Sequence, residues 1–567
     1  MIKILFTLIV GVLLNVTNVL GYIPGHVGNA IELNSKDYGA SCSPIKYTPN
    51  SKMQASIELH IDQLESDDRS TLKDLKIPVL LFRYTDILNF TSIPPIESYF
   101  YEYSYVLNDG TLEQQKEFFK DVVDFKQSKF KLDLDKNYKL HKDRIYNDYL
   151  TIDSKDEKHM KAVLPVYETG IYCAYVAPPI NSGIKKLSIP VNYQNSYGYL
   201  PYIQYTFYTQ YKYIVAIGLL LAAYLFHYII KFKVGKDFKD MNSISIISKA
   251  VIFYLLIPII LLTSGDWFIA FIQNNYISSG SHSVVFNLMK MTMTWIDYNF
   301  GIVFRFLILL FAMGYGVIYY HNDTNKNYRE MPGRLMNKAV ILLVTNICLF
   351  GVRECFQYLG GSTQFSMYGN EASNGMQLIN PHSNFTTIFI IRQLINFACE
   401  IFPLIWFVLS LVHYFKTKKT IAKFPPVSPA SEGSIDANER IVKSFRQSIL
   451  ILFVLPVFLV CIFLAFIVYH IIHSSEYSLD IPNTSREDIL QSVLTIRVLE
   501  IQTFDRSTIL PALWSAVLNV YLTIILLYAI WIRNDNELVM EEYNREFPGT
   551  GSMNSAYDSD SYENTDH

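Results

Sequence analysis

The stretch QNSYGYLPYIQYTFYTQYKYIVAIGLLLAAYLF, residues 194–226, passes from tyrosine-rich polar sequence into unbroken apolar sequence without a linker. Its apolar part suits a membrane-spanning helix, which needs about 20 apolar residues. The tyrosines before it suit the boundary between lipid and water, where aromatic side chains collect. This stretch therefore separates a polar first third of the chain from a largely apolar remainder.

The composition of the whole chain favours a membrane protein. Of its 567 residues, 50% are hydrophobic and only 17% are charged, which is too apolar for an ordinary soluble enzyme. The formal net charge of -3 provides no electrostatic footprint for nucleic acid, so nucleic-acid binding is set aside. The sequence contains no nucleophile elbow, phosphate-binding loop or HExxH motif. It therefore predicts no catalytic residues, no metal site and no cofactor.

Both ends of the chain carry segments that are distinct from the predicted domains. Residues 1–21 have a lysine before an apolar run and small or aliphatic residues before Tyr22, which is typical of a cleaved signal peptide; a signal anchor is the alternative. Residues 534–567 are acidic and serine-rich. Because such a composition cannot bury a core, we expect a disordered cytosolic tail there.

The region between the signal peptide and the first span, residues 22–205, consists of short β-branched and aromatic stretches separated by polar or proline-containing sequence. This pattern predicts an antiparallel β-sandwich. Residues 112–160 are strongly charged, and within them EQQKEFFKDVVDFKQSKF, residues 113–130, has apolar residues at roughly helical spacing, which indicates an amphipathic insertion on the sandwich. A solvated loop is the alternative interpretation of this insertion.

The six cysteines fall into two groups. Cys42 and Cys173 lie in the polar first third, so only one disulfide within that domain is available if it faces an oxidising lumen. The remaining cysteines lie in or beside apolar runs, and we expect them to be buried apolar side chains: Cys348, Cys355, Cys399 and Cys461.

Seven apolar runs long enough to span a membrane follow the polar domain. The segments after the first, third and fifth runs are rich in lysine and arginine, whereas neither residue occurs between Lys249 and Lys290 or between Arg353 and Arg392. Because positively charged short loops stay in the cytosol, the N-terminal domain is predicted to be lumenal and the C-terminus cytosolic. The runs cover about residues 212–231, 247–273, 296–320, 335–357, 385–413, 446–472 and 509–532.

Asparagine acceptors for glycosylation agree with this orientation. Three N-x-S/T tripeptides lie on the predicted lumenal side, at Asn89, Asn384 and Asn483. A fourth, at Asn322, falls on the predicted cytosolic side, where it should stay unmodified.

Four motifs occur in one order along the chain: YETGIYCAYV at 167–176, NSYGYLP at 195–201, RFLILLFAMGYGVIYYH at 305–321 and IWIRNDNE at 530–537. In this order the chain resembles the GOLD-domain seven-transmembrane family, also called the lung seven-transmembrane receptor family. It is most similar to the fungal Golgi branch, with Wntless as a more distant relative.

The resemblance implies a lumenal GOLD-like β-sandwich with a disulfide between Cys42 and Cys173, placed over a seven-helix bundle with a lipid-accessible cavity. It also implies a role in Golgi and endosomal membrane traffic. We therefore expect a non-enzymatic Golgi membrane protein that cycles to endosomes and binds membrane lipid or secretory or membrane-protein cargo. The alternatives are a cation-conducting or lipid-moving membrane protein and a seven-transmembrane receptor.

Charged side chains within or beside the spans are the candidate functional residues. A charge at bilayer depth costs roughly 2.5–3.5 kcal/mol on insertion scales, so it usually faces protein or water. Their mixed signs indicate ion pairs that line a polar cavity, either as a structural network or as a path for a ligand or ion. The set comprises Asp266, Asp297, Arg305, Arg353, Glu354, Arg392 and Glu400, of which Asp266, Arg305 and Glu400 lie furthest from the span ends.

Three further segments carry predictions about local structure. MGYG at 313–316 is interpreted as a continuation of the third helix, with Gly314 allowing close helix packing. The proline- and serine-containing linker at 423–440 is expected to be flexible. Given the resemblance, NSYGYLP is expected to be a fixed seam between sandwich and bundle, and the alternative is a tether.

Overall fold

A computed structural model describes the chain from residue 30 to residue 532, with gaps. The undescribed segments in between are 34–38, 52, 67–74, 91, 94–120, 133–143, 153–155, 178–183, 228–230, 232–244, 279–283, 320–330, 361–375, 378–384, 423–431, 475–489, 491–492, 495, 498–499, 501–502 and 505. The predicted signal peptide and acidic tail lie outside the described residues, as do Asn322, Asn384 and Asn483.

The first part of the chain forms a β-domain with two five-stranded antiparallel sheets, the second of which includes one strand from later in the chain; this confirms the predicted class. In the first sheet the order is β1, β11, β3, β9, with β4 also paired to β11; in the second it is β12, β2, β10, β5, β8. The strands are β1 (Ala30–Leu33), β2 (Gly39–Ile45), β3 (Ser56–His60), β4 (Gln63–Ser66), β5 (Ile77–Arg83), β6 (Val123–Asp124), β7 (Lys129–Phe130), β8 (Tyr146–Leu150), β9 (Lys161–Pro165), β10 (Gly170–Val176), β11 (Ile184–Gln194) and β12 (Met376–Gln377).

The core between the sheets follows from alternating apolar residues. In β3, Ile57 and Leu59 are buried while their neighbours are half-exposed, as expected for a strand with one face inward. They pack with Val79 of the second sheet and with Ile189 and Val191 of β11.

The second sheet is buried on both faces, because every residue of β2 and β10 is buried. Its outer face carries a second core, formed by Phe82, Tyr84 and Tyr175 among others. Cys42 and Cys173 lie directly opposite each other in these neighbouring strands and form the disulfide that the resemblance implied. The disulfide therefore joins two strands of one sheet beneath this outer core.

Residues 113–120 of the stretch with helical spacing lie outside the described residues, and the described remainder of the charged insertion at 112–160 is mostly not helical. Beyond two helical residues at 121–122 it forms the short hairpin of β6 and β7, and then β8. β8 pairs with β5 along its whole length, so this part of the insertion is an edge strand of the second sheet. Its Asn147 side chain also exchanges two hydrogen bonds with the backbone of Phe130 in the hairpin.

The second part of the chain contains seven helices that are long and apolar enough to cross a membrane, and we describe the chain as a multi-pass membrane protein. They are α1 (Tyr202–Ala223), α2 (Ile246–Tyr276, with a π-helical turn at Val251–Leu256), α3 (Val284–Ala312), α4 (Gly333–Gly360), α5 (Phe385–Ala422), α6 (Glu432–Ser474) and α7 (Arg506–Trp531).

Three helices begin well before the predicted spans, and one of them, α3, begins at Val284 rather than near residue 296. α1 begins at Tyr202 rather than near residue 212, and its first turns are polar; Thr206 there donates from its hydroxyl to Tyr202 O at 3.0 Å. α6 begins at Glu432, inside the linker that was expected to be flexible. A helix can begin in polar sequence, so hydropathy alone places the start of such a helix too late in the chain.

The MGYG segment is a tight turn and not a continuation of the third helix. α3 ends at Ala312, and Gly314 and Gly316 have φ values of 96° and 82°, which residues with a side chain rarely adopt. The Gly314 carbonyl accepts from the backbone N–H groups of Ile318, at 2.7 Å, and Tyr319, at 3.1 Å. The glycines therefore turn the chain at the end of the helix.

The bundle consists of two packed halves. α1, α2 and α7 share one apolar core, with α6 packed along α7, and α3, α4 and α5 share another. A third core, formed by the turn after α3 together with α5, α6 and α7, joins the halves at the end away from the β-domain. Of the described cysteines in the bundle, Cys399 is buried as expected, whereas Cys348 and Cys461 are exposed on its outer surface.

Candidate functional site

The junction between β-domain and bundle begins with a hydrogen-bonded turn at residues 195–201. Asn195 and Gly198 exchange two backbone hydrogen bonds, and Gly198 has a φ of 137°. The Asn195 side chain accepts from Lys46 N–H at 2.7 Å and donates to Leu200 O at 3.0 Å. One buried amide therefore ties the turn to the loop that follows β2.

Asn274, near the C-terminal end of α2, connects this turn to the bundle. Its side chain donates to Tyr197 O at 2.8 Å and accepts from Leu200 N–H at 3.4 Å, and its carbonyl accepts from Tyr199 N–H at 3.2 Å. A Cβ atom on Gly198 would lie 2.4 Å from the Asn274 carbonyl oxygen. The predicted seam is therefore a close, fitted contact that requires glycine at this position.

Aromatic rings extend the contact along α1. The Tyr197 ring stacks on Tyr205 with centroids 3.7 Å apart, and Tyr202 packs against Phe504, which precedes α7. The Lys46 ammonium lies 5.4 Å and 5.5 Å from the Tyr202 and Phe504 ring centroids, within the range of a cation–π interaction. These tyrosines are therefore packed together and do not serve only as interfacial anchors.

A second contact comes from the segment before α7, which lies between the sixth and seventh predicted spans. Val493 and Ile496 are buried in the outer core of the second sheet, and the described residues between 490 and 504 are helical. The apolar residues at 490, 493 and 496 have helical spacing, which is the signal that identifies this segment.

Glu500 adds a buried carboxylate to this second contact and is only 6% exposed. It accepts from the backbone N–H of Ile171 in β10 at 2.8 Å and lies 3.7 Å from the Arg83 guanidinium of β5 and 3.2 Å from that of Arg497. Arg83 also pairs with Glu168 at 2.9 Å. Charge-assisted hydrogen bonds of this kind are stronger than neutral ones, so Glu500 fixes the position of the second sheet.

Tyr172 lies beside these charged groups and donates from its hydroxyl to the Glu168 carbonyl at 2.9 Å. Burial raises the pKa of Tyr172 to about 12. The phenol is therefore neutral at physiological pH and acts as a hydrogen-bond donor in the site.

A third contact comes from the connection between α4 and α5. Its strand β12 pairs with β2, placing Met376 opposite Cys42. The β-domain therefore contacts three separate parts of the bundle sequence: the end of α2, the α4–α5 connection and the segment before α7. All three lie at the same end of the bundle.

The candidate charges of the spans form only one ion pair within the described part of the chain. Arg353 pairs with Glu354 at 3.0 Å, and its guanidinium lies 4.5 Å from the Phe350 ring and 4.9 Å from the Tyr298 ring. This pair is at the C-terminal end of α4, on the β-domain side.

The other candidate charges are distributed over several helices. Asp266 of α2 and Asp297 of α3 are close enough to interact electrostatically with each other and with Tyr211 of α1. Arg305 and Glu400 lie near Tyr298 and form no ion pair with a described side chain. The side chain of Arg392 is outside the described part of the structure.

Two of the motifs that carry the family resemblance, at 305–321 and 530–537, contribute residues to the end of the bundle away from the β-domain. Trp531 donates from Nε1 to Ser448 Oγ at 2.7 Å, and its carbonyl accepts from Ser245 Oγ at 2.9 Å. Thr417 Oγ1 donates to Ala312 O at 2.8 Å, just before the glycine turn. Each of these buried hydrogen bonds joins helices within one half. Between the halves, the ring of Trp531 contacts that of Phe311 on α3, with centroids 6.0 Å apart.

Asn89, the one predicted glycosylation acceptor among the described residues, is half-buried at the end of a 3₁₀ turn. Comparison of the chain with protein-family models and with curated proteins finds no match.

Replacement of Glu500 by alanine should destabilise the protein by about 1.5–3 kcal/mol, because the Ile171 N–H loses its charged acceptor and remains buried. The matched control is Glu58→Ala, which removes an exposed ion pair with Lys161 and should cost less than about 1 kcal/mol. Thermal unfolding of both variants in detergent, followed by tryptophan fluorescence, compares them. An equal effect of the two substitutions would contradict a buried anchoring role for Glu500.

Proposed function

We propose that the protein belongs to the GOLD-domain seven-transmembrane family and supports sorting or membrane traffic at the Golgi, cycling to endosomes. In this proposal the β-domain lies in the lumen and the C-terminus in the cytosol. The β-domain and the bundle bind secretory or membrane-protein cargo, or membrane lipid, without catalysing a reaction.

The observation that carries the proposal is the fixed attachment of the β-domain to the bundle. Asn274, β12 and Glu500 connect it to three parts of the bundle sequence. A ligand held by the β-domain is therefore kept at one place over the membrane, and its binding can change the contacts of α2 and α7. A sorting protein needs such a connection between a binding surface on one side and the other side of the membrane.

The distribution of charge supports the proposed orientation. The β-domain is at the bundle end where the connections lack lysine and arginine between Lys249 and Lys290 and between Arg353 and Arg392. The opposite end carries the basic C-terminal turns of α5, including Lys416, and the glycine turn after α3. Positively charged connections favour the cytosol.

Cells that lack the protein should missort secretory or membrane proteins, and the wild-type chain should restore sorting. Rescue with Asn274→Ala should be incomplete because this variant loses the side-chain bonds to Tyr197 and Leu200. Glu58→Ala should rescue fully. Sorting is scored by the surface and secreted fractions of reporter proteins. Normal sorting without the protein, together with no cargo or lipid enriched on the purified chain, would contradict the proposal.

A cation-conducting or lipid-moving protein is the second candidate function. It is favoured by the neighbouring carboxyl groups of Asp266 and Asp297 on α2 and α3, which belong to different halves of the bundle. Two like charges in a membrane are costly unless water or a cation lies close to them. Such a pair therefore suits a hydrated path.

For this second candidate, liposomes containing the protein should show cation or lipid flux that Asp266→Asn and Glu400→Gln reduce several-fold. Asp62→Asn, an exposed carboxylate of the β-domain, is the control and should leave flux unchanged. Flux equal to that of empty liposomes would rule out this candidate without affecting the sorting proposal.

A further inference from the structure

Three polar side chains are buried in the α3–α4–α5 half, and each has an atom with no hydrogen-bond partner among the described residues: Asn299 Oδ1, Asn346 Nδ2 and Trp406 Nε1. Their exposed fractions are 8%, 1% and 2%. Nearly all buried polar atoms in native proteins are paired with protein or with ordered water. Three unpaired atoms in one small core therefore require an explanation.

The three side chains come from three different helices and face the same core. Asn299 precedes Ile302 by three residues on α3, and Asn346 follows Leu343 by three residues on α4. Residues at this spacing share a helix face. Ile302, Leu343 and Trp406 all belong to the apolar core of this half, so Asn299 and Asn346 lie on the helix faces that line it.

Two ring contacts define the levels of these residues along the helices. Tyr298 stacks on Phe350 with centroids 3.5 Å apart, and Phe306 contacts Trp406 at 6.4 Å. With a rise of about 1.5 Å per residue, Asn346 lies about 6 Å along the helix axis from Phe350 and hence from the first contact. Phe306 lies about 12 Å along α3 from Tyr298, so the second contact is about 6 Å from Asn346 on the other side. Along the helix axes, Asn346 is therefore about midway between Asn299, which follows Tyr298, and Trp406, which contacts Phe306.

Pro403 provides a fourth polar group at the same place. It lies inside α5, and because proline has no N–H group, the Cys399 carbonyl four residues earlier lacks its intrahelical donor. Cys399 precedes Trp406 by seven residues, just as Asn299 precedes Phe306. Because α3 and α5 run in the same direction, the Cys399 carbonyl and Asn299 are at one level.

We propose that this half of the bundle binds a buried water molecule between Asn299, Asn346 and Cys399. The water accepts a hydrogen bond from Asn346 Nδ2 and donates to Asn299 Oδ1 and to the Cys399 carbonyl. Buried waters typically make about three such bonds. The Asn299 amide group is oriented for this role, because its Nδ2 already donates to the Trp295 carbonyl at 2.7 Å. Trp406 Nε1, about one turn further on, supplies a donor for an adjoining water.

The set of donors and acceptors selects water as the ligand. The three groups proposed to bind it are neutral, and they comprise one donor and two acceptors, so the bound molecule must be able to donate and accept. The surrounding apolar core, with Asn346 and Trp406 almost fully buried, excludes a lipid headgroup. This inference concerns the inside of one half and is independent of the proposed function.

A double-mutant cycle on the full chain in detergent tests the proposal. Asn346→Leu and Asn299→Leu should each lower the thermal midpoint by about 2–4 °C, because the water loses a partner. The double variant should lose less than the sum, since both side chains bind the same water. The control pairs Asn346→Leu with Asn519→Leu, whose Oδ1 on α7 is also buried without a described partner; these effects should add.

A midpoint that is unchanged or raised by Asn346→Leu would overturn the proposal, because removing a simply unpaired donor costs nothing. Strict additivity of the Asn299 and Asn346 substitutions would also overturn it. Should the variants fail to fold, a high-resolution density map of the wild-type protein decides. A density peak within hydrogen-bond distance of Asn346 Nδ2 and Asn299 Oδ1 supports the water site, and a direct bond between the two amides contradicts it.

Discussion

The contact between Asn274 and the turn at residues 197–200 is the constraint on which the arrangement of the two domains depends. A chain that leaves a sheet and enters a membrane helix exposes backbone N–H and C=O groups at the junction, and burying them without partners is costly. Asn274 satisfies three of these groups from α2. The absence of a side chain at Gly198 allows the two backbones to approach closely enough for these bonds. The first and second helices are thereby fixed to the last strand of the β-domain.

A second contact with the bundle helps to bury the second sheet on both faces. A sandwich normally has one wet face on each sheet, but here the outer face of β2, β5 and β10 is covered in part by Val493 and Ile496 from the segment before α7. Glu500 closes this contact with a hydrogen bond to β10. The β-domain and the bundle thus share an apolar core in addition to a covalent connection. Separation of the two would expose that core to water.

The parts of the fold that depend on overall composition could be predicted from the sequence. The seven helices follow from runs of apolar residues, and the sandwich follows from alternating β-branched and aromatic residues. Helix ends could not be predicted in the same way. At Tyr202 a helix begins in polar sequence before the apolar run, whereas at Gly314 and Gly316 positive φ angles end a helix inside apolar sequence.

Only part of the candidate site could be predicted from the sequence. The NSYGYLP seam was identified, but its partners Lys46, Asn274 and Phe504 are far away in the chain, and no local pattern connects them. Glu500 occurs in a segment of mixed charge that resembles any exposed loop; only its apolar neighbours at helical spacing distinguish it. Charged residues within spans are easily recognised, yet which of them form pairs depends on helix register. Arg353 and Glu354 pair because they are neighbours at one helix end.

The distance between β-domain and bundle, measured by electron spin resonance on two spin labels, tests the fixed attachment most directly. Val163 on β9 and Phe415 on α5 are exposed positions for the labels, in a chain whose cysteines outside the disulfide are replaced. A rigid connection predicts one narrow distance distribution, which broadens when Asn274 and Glu500 are both replaced by alanine. A broad distribution in the otherwise unaltered chain would show that residues 195–201 are only a tether.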